Sequence, residues 1–142
     1  MHSTLILSSL LVAFLWAITS VAQKHATNNL SHPTAMAIFA VMYFTLMLFY
    51  IAHHKELISN ELRNMIPSAI LVLFAAVVLN FIANVLYFRM IKNNGLSLVT
   101  GLTAVTPVFV ALLSFMVLRE HMKPKHIAGI VAVVTGVVLI SQ

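Results

Sequence analysis

Long apolar runs separated by short polar connections make up most of the sequence. A helix that crosses a bilayer needs about 20 apolar residues, and only helices or closed barrels satisfy their backbone hydrogen bonds inside hydrocarbon. The runs that qualify lie near residues 4–22, 34–52, 67–88, 96–118 and 125–141. The connections between them carry residues that begin or end helices, including Pro33, Pro67, Gly95 and Pro124. The pattern therefore predicts an all-α integral membrane bundle of five transmembrane helices, forming a single domain over residues 1–142.

The composition agrees with this class of protein. Hydrophobic residues make up 61% of the chain and charged residues 8%, and the mean hydropathy is +1.03. A soluble globule of this size needs more polar surface, so that class is excluded. The sequence has no cysteine, which excludes disulfides, thiol catalysis and cysteine-ligated metal. The formal net charge of +5 is spread over the connections, which favours contact with anionic lipid headgroups over binding of nucleic acid.

The first apolar run has a second interpretation, as a signal peptide. Residues 4–21 lead into small residues that end at Ala22, as they do before a cleavage site. The segment before the run has no Lys or Arg, however, and Trp16 lies inside the run. We therefore expect an uncleaved first transmembrane helix.

The longest connection, residues 53–66, is the stretch with the most charge. One interpretation is a short interfacial helix with Leu57, Ile58, Leu62 and Met65 toward lipid. The other is a solvated loop whose charges lie near helix ends. The sequence leaves both interpretations open.

Helical spacing gives most of the predicted spans a stripe of small, polar or aromatic side chains. Ser9, Ala13 and Trp16 share one face of the first span. Asn80 and Asn84 share a face of the third, where an amide that meets hydrocarbon without a partner costs several kcal/mol. Aromatic walls with a few hydrogen-bonding groups are typical of small-molecule pockets. The predicted substrate cavity is lined by Trp16, Tyr43, Asn80, Asn84, Tyr87, Thr100 and Thr103. The alternative is that the asparagines hydrogen-bond a neighbouring helix, a contact worth on the order of 1 kcal/mol.

Two further features concern how helices bend and meet. Pro107 lies inside the fourth span, where it removes a backbone donor. It is either a static kink or a flexing point, and we treat it as the candidate hinge. Ala128, Ala132 and Gly136 recur at intervals of four in the last span, and such a ridge of small residues allows close helix approach. Such a ridge serves either a contact between two copies or packing inside one bundle, and the spacing leaves both open.

Ionisable groups are informative mainly because the spans lack them. The acids are Glu56, Glu61 and Glu120, all in predicted connections, so proton exchange at a carboxylate inside the membrane is disfavoured. The seven histidines lie in connections or at span ends, and the adjacent His53 and His54 point apart on a helix. No nucleophile–base pattern, phosphate loop or dinucleotide motif is present. We predict no catalytic residue, metal or cofactor, and hence no enzyme.

Several motifs resemble the EamA-type unit of the drug/metabolite transporter superfamily. The final two runs match its last two helices, with Pro107, a charged turn containing Glu120, and a glycine-rich span. Further matches to its pattern are Leu15-Trp16, Lys24, Leu86-Tyr87-Phe88 and Gly95-Leu96-Ser97. By this resemblance the chain is one such unit, and Glu120 orders the turn between the last two spans. The resemblance also makes the ridge of Ala128, Ala132 and Gly136 a candidate dimer contact.

The resemblance implies transport of a small metabolite or amino-acid-like solute by alternating access. Many members carry two five-helix units, and an odd number of spans inverts the second unit relative to the first. We therefore predict an antiparallel homodimer with dual topology, against a parallel dimer or a hetero-pair as rivals. An alternative function is a membrane interaction or stabilising subunit that transports nothing itself. We expect a multi-pass integral protein of the cell membrane, inner or plasma, whose partners are a small-molecule solute and the lipid bilayer but no nucleic acid.

Overall fold

The computed structural model describes residues 2–119 and 123–142, and all of the regular secondary structure in this part of the chain is helical. The α-helices are α1 (His2–Asn29), α2 (His32–His53), α3 (Lys55–Arg63), α4 (Pro67–Asn93), α5 (Leu96–Thr103), α6 (Thr106–Leu113) and α7 (Pro124–Ser141). A π-helical segment, Ser114–Leu118, continues α6. Glu120, which sequence reasoning assigns to the last turn, lies outside the described residues.

Within the described residues, five helical stretches are long and apolar enough to cross a membrane, as the sequence predicts. They are Thr4–Asn29, His32–His53, Pro67–Asn93, Leu96–Leu118 and Pro124–Ser141. The first and third continue past the predicted ends at residues 22 and 88. The reason is that each apolar run is followed by a polar helical end carrying a lysine, Lys24 or Lys92. A long lysine stem buries its methylenes while its ammonium group finds polar partners.

The helices group into two compact units, the first ending at Asn93 and the second beginning at Asn94. In the first unit α4 packs against both α1 and α2. Its buried side chains belong to Thr27 near the end of α1, Ala35 near the start of α2, and Phe88 and Ile91 near the end of α4. The core of this unit therefore lies at one end of the three long helices.

Two lysines join the ends of α1 and α4 in a reciprocal arrangement. Lys24 Nζ donates to the carbonyl of Ile91 at 2.5 Å. Lys92 Nζ donates to the carbonyl of Leu30 at 3.0 Å and also to that of Thr27. The last carbonyls of a helix have no partner within the helix and carry its negative dipole end. Each lysine therefore satisfies the carboxyl-terminal end of the other helix, and we call this pair the lysine clasp.

The connection between α1 and α2 is short and capped. Ser31 Oγ accepts a hydrogen bond from the backbone N–H of Thr34 at 3.4 Å, and the two hydroxyls lie 2.8 Å apart. Pro33 occupies the first turn of α2, where its missing N–H has no cost. Serine at the cap and proline in the first turn together start α2 immediately after α1 ends.

In the second unit α7 packs against α5 and α6. Gly101 of α5 lies close to α7, since an added Cβ atom would lie 2.9 Å from Ile140 Cδ1 of α7. Glycine therefore allows these two helices to meet. The fourth span is interrupted between α5 and α6 at Ala104 and Val105. It ends at Arg119, whose φ of 55° lies in the left-handed region that stops a helix.

Candidate functional site

The predicted cavity residues are divided between the two units. Trp16, Tyr43, Asn80, Asn84 and Tyr87 belong to the first unit, and Thr100 and Thr103 belong to the second. The assignment of all seven to one cavity stays a prediction. The geometry around each group follows from its own helix and its nearest neighbours.

Asn80 and Asn84 form an amide pair along α4. Asn84 Nδ2 donates to the side-chain oxygen of Asn80 and, at 2.9 Å, to its backbone carbonyl. The spacing of four residues brings these two side chains together on one face of the helix. The alternative interpretation of the sequence was that the asparagines hydrogen-bond a neighbouring helix, but these bonds lie within α4. Asn80 remains exposed and Asn84 half-exposed, so hydrogen-bonding capacity is left at the surface of a membrane span.

An aromatic row connects the core of the first unit to Tyr43. The Phe88 ring is fully buried and lies 5.9 Å from the Phe39 ring in a tilted arrangement. Phe39 in turn stacks on Tyr43 with ring centroids 6.3 Å apart. Sequence reasoning selected Tyr43 and Tyr87 but missed Phe39 and Phe88. Both residues could have been identified from the sequence, since Phe39 precedes Tyr43 by one helical turn and Phe88 directly follows Tyr87.

Trp16 lies at an open concave surface of about 370 Å³. The surface is lined by Ser8, Ser9, Val12, Ala13 and Trp16. The shared face predicted for Ser9, Ala13 and Trp16 therefore forms one surface. Ser9 Oγ donates to the carbonyl of Leu5 at 2.8 Å, which leaves its oxygen lone pairs able to accept. The Trp16 side chain is 71% exposed, so a large aromatic face is accessible on α1.

The two predicted threonines bond to their own helix. Thr100 Oγ1 donates to the carbonyl of Leu96 at 2.9 Å, and Thr103 Oγ1 donates to that of Val99 at 3.0 Å. Serine and threonine hydroxyls inside helices commonly bond back in this way. Each oxygen keeps acceptor capacity, so both threonines offer acceptors rather than free donors.

Pro107 lies in the first turn of α6, just after the interruption at Ala104 and Val105. Proline has no N–H to give to the carbonyl four residues earlier, that of Thr103. Thr106 Oγ1 donates to that carbonyl at 2.7 Å instead. The regular helix is therefore interrupted over Ala104 and Val105, and the hydroxyl of Thr106 satisfies the carbonyl that Pro107 leaves free. Flexing at this point stays a prediction.

The small-residue ridge of α7 is accessible along its length. Ala128 and Ala132 are exposed, and Gly136 is half-exposed. A Cβ atom added at Gly136 would meet nothing within 4 Å. The ridge therefore has room for another helix, and its role as a dimer contact stays a prediction.

The histidine pair at the end of α2 has local partners. The His54 ring stacks on Tyr50 with centroids 4.3 Å apart, and its Nδ1 lies 3.0 Å from the Tyr50 carbonyl oxygen. His53 lies edge-on to His54 at 4.8 Å. Within residues 2–119 and 123–142, no group of three or more His, Asp and Glu side chains is placed to hold a metal ion. The predicted absence of metal and cofactor stays a prediction.

The sequence was compared with known proteins and with models of protein families. No curated protein and no solved structure matches it significantly. The model of the EamA-like transporter family matches residues 3–142. This match covers nearly the whole chain and agrees with five membrane-crossing helices, and members of this family are transporters rather than enzymes. The chain is a multi-pass integral membrane protein that belongs to the EamA-like transporter family and contains a single EamA repeat.

Proposed function

We propose that two copies of this chain, inserted in opposite orientations, move a small uncharged or zwitterionic solute across the cell membrane by alternating access. The observation that carries the proposal is the exposed Asn80–Asn84 pair in the middle of an apolar span. Leaving amide groups against hydrocarbon costs several kcal/mol. The pair is therefore expected to face a water-filled cavity that the assembled protein encloses.

The family supports the alternating-access part of the proposal. Transporters of this kind use inverted repeats, with the solute site near the bilayer midplane and rocking of one repeat against the other. This chain supplies one repeat. A second copy in the opposite orientation supplies the inverted partner without any further gene product.

The charge distribution supports insertion in both orientations. With five spans, one membrane side holds Lys55, Arg63, Arg119, Lys123 and Lys125. The other side holds Lys24, Arg89 and Lys92. This bias is slight under the positive-inside rule. Lys24 and Lys92, which form the lysine clasp, are both on the less positive side. The clasp therefore does not reduce the charge bias further.

The side chains around Asn84 and Trp16 indicate the chemistry of the solute. They offer amides, hydroxyl oxygens and aromatic faces, whereas the described acids Glu56 and Glu61 lie in α3 outside the spans. Without a carboxylate at membrane depth, a strongly cationic solute lacks a counter-charge. A neutral amino acid or a similarly sized polar metabolite fits these groups best.

A second candidate function is a membrane interaction subunit. The observation that favours it is the extensive exposure of the spans, since at most 6% of the residues in the apolar part of any span are buried within the chain. Such faces can equally cover another membrane protein. A flux measurement separates this function from transport, because a purely structural subunit moves no solute alone.

The test is saturable uptake of labelled neutral amino acids and other zwitterionic metabolites into vesicles containing the purified protein. We expect Asn84→Ala and Trp16→Ala to lower flux at least tenfold, by analogy with loss of a buried hydrogen-bonding or stacking contact. Asn64→Ala is the matched control, since Asn64 follows α3 outside the spans. Unchanged flux in both variants would refute the cavity assignment, and non-saturating flux would indicate a passive channel.

A further inference from the structure

Helix α3 differs from every other helix of the described chain in its amphipathic character. It spans Lys55–Arg63, and charged and polar residues alternate there with Leu57, Ile58 and Leu62. Leu57 is 58% exposed and Leu62 is 56% exposed. A short polar helix that leaves large apolar side chains uncovered has a face that still lacks a partner.

The chain holds α3 at the membrane surface. A single residue, His54, separates it from the end of α2, and residues 64–66 separate it from Pro67 at the start of α4. At 1.5 Å per residue the helix is about 13 Å long. Because α2 and α4 both cross the membrane, a helix this short between them stays at the depth where they emerge.

The joint between α2 and α3 is an ordered elbow. The backbone N–H of His54 donates to the Tyr50 carbonyl at 3.1 Å, and the two rings stack. Tyrosine is enriched at the level of the headgroups because its ring is apolar and its hydroxyl polar. Tyr50 and His54 therefore mark the headgroup level at which α3 begins.

Helical spacing separates α3 into two faces. Leu57, Ile58 and Leu62 share one face. Glu56, Ser59 and Asn60 lie on the opposite side, and together with Lys55 they line an open surface of about 570 Å³. A helix with this division is stable with its apolar face in lipid and its polar face in water.

We propose that α3 is an interfacial anchor that lies along the lipid surface, with Leu57, Ile58 and Leu62 at the boundary between headgroups and acyl chains. The occupant of its apolar face is lipid, because α3 directly connects two membrane-spanning helices. Lys55 and Arg63 balance Glu56 and Glu61 in formal charge. Binding therefore depends on apolar burial more than on anionic headgroups.

Glu61 limits how deeply α3 inserts. On a helix of 100° per residue it lies between Leu57 and Ile58, on the apolar face. A carboxylate is strongly disfavoured below the headgroups. The anchor is therefore shallow, and replacement of Glu61 by a neutral side chain should let the helix sink further.

The absence of cysteine from the chain allows a direct test on the full-length protein in vesicles. Spin labels are attached to single cysteines replacing Leu57, Ile58 or Leu62, and, as controls on the polar face, Glu56, Ser59 or Asn60. Each label is tested for collision with oxygen, which partitions into lipid, and with a water-soluble nickel chelate present on both sides. The presence of chelate on both sides makes the result independent of insertion orientation.

The expected result is oxygen access on the Leu57 face at a depth of about 5–10 Å and chelate access on the Ser59 face. Vesicles of phosphatidylcholine alone and with phosphatidylglycerol should give the same depth, and Glu61→Gln should increase it. Chelate access at all six positions would mean a solvated helix. Protection of the apolar face from both reagents would mean that protein covers it. Either result overturns the proposal, and neither depends on whether the protein transports a solute.

Discussion

Lys24 and Lys92 each bind the carboxyl-terminal carbonyls of the other's helix. Lys24 of α1 donates to Ile91 of α4, while Lys92 of α4 donates to Thr27 and Leu30 at the end of α1. The fully buried Thr27, Phe88 and Ile91 lie at the same end. Charge-assisted bonds and a small core are thus concentrated where α1 and α4 leave the apolar region.

Removal of the lysine clasp should destabilise the first unit. Lys24→Met or Lys92→Met keeps an apolar stem and removes the ammonium group, and a hydrogen bond from a charged group is worth about 1.5–3 kcal/mol. We expect a clear fall in the melting temperature of the purified protein in detergent. The exposed Arg89, mutated to Met, is the matched control near the same helix end. A fall as large in the control as in the clasp variants would show that loss of positive charge, rather than of the clasp, is responsible.

Two glycines of the second unit should respond differently to the same substitution. Gly101→Leu places a large side chain where even a Cβ atom would be 2.9 Å from Ile140. Overpacking of this kind costs about 1–3 kcal/mol, so the melting temperature should fall. Gly136→Leu meets open space within the protomer and should leave the monomer fold intact while weakening the dimer.

For both glycine variants, the crosslinking yield in membranes and the melting temperature are measured and compared with those of the unmodified protein. A loss of dimer with normal stability in Gly136→Leu supports the α7 ridge as the dimer contact. Equal dimer yields in Gly136→Leu and the unmodified protein would place the contact elsewhere.

The helix break before Pro107 should control the rate of transport. Pro107→Ala restores an N–H that can bind the Thr103 carbonyl, which the Thr106 hydroxyl binds in the present structure. We expect a straighter fourth span, equal or higher stability and slower flux. Thr106→Ser keeps the hydroxyl and serves as the control. Unchanged flux in Pro107→Ala would make the break a static feature.

The pattern of apolar residues was sufficient to predict the membrane-crossing helices. Burial in lipid imposes a length on each run, and this requirement is visible in sequence. The extra turns of α1 and α4 were missed because their polar residues look like connections. Their stability depends on Lys24 and Lys92 reaching across to another helix, a contact between residues far apart in the chain.

The candidate site was less accessible to sequence reasoning. The spacing of Asn80 and Asn84 correctly placed both on one face, but it did not show that the two amides bind each other. Pro107 indicated a bend, whereas the position of the break at Ala104 and Val105 also depends on the hydroxyl of Thr106. In the proposed dimer, the side chains that meet a solute also depend on the second copy, and no periodicity within one chain encodes that.

The orientation of the chain in the membrane tests the central claim most directly. Asn28, exposed at the end of α1, and Lys123, exposed before α7, are separated by three of the spans and so lie on opposite sides. Each is replaced singly by cysteine in this naturally cysteine-free chain and labelled from one side of intact cells with an impermeant thiol reagent. The antiparallel dimer predicts partial labelling of both positions from the same side. Complete labelling of one position and none of the other would contradict it, because every copy would then have the same orientation.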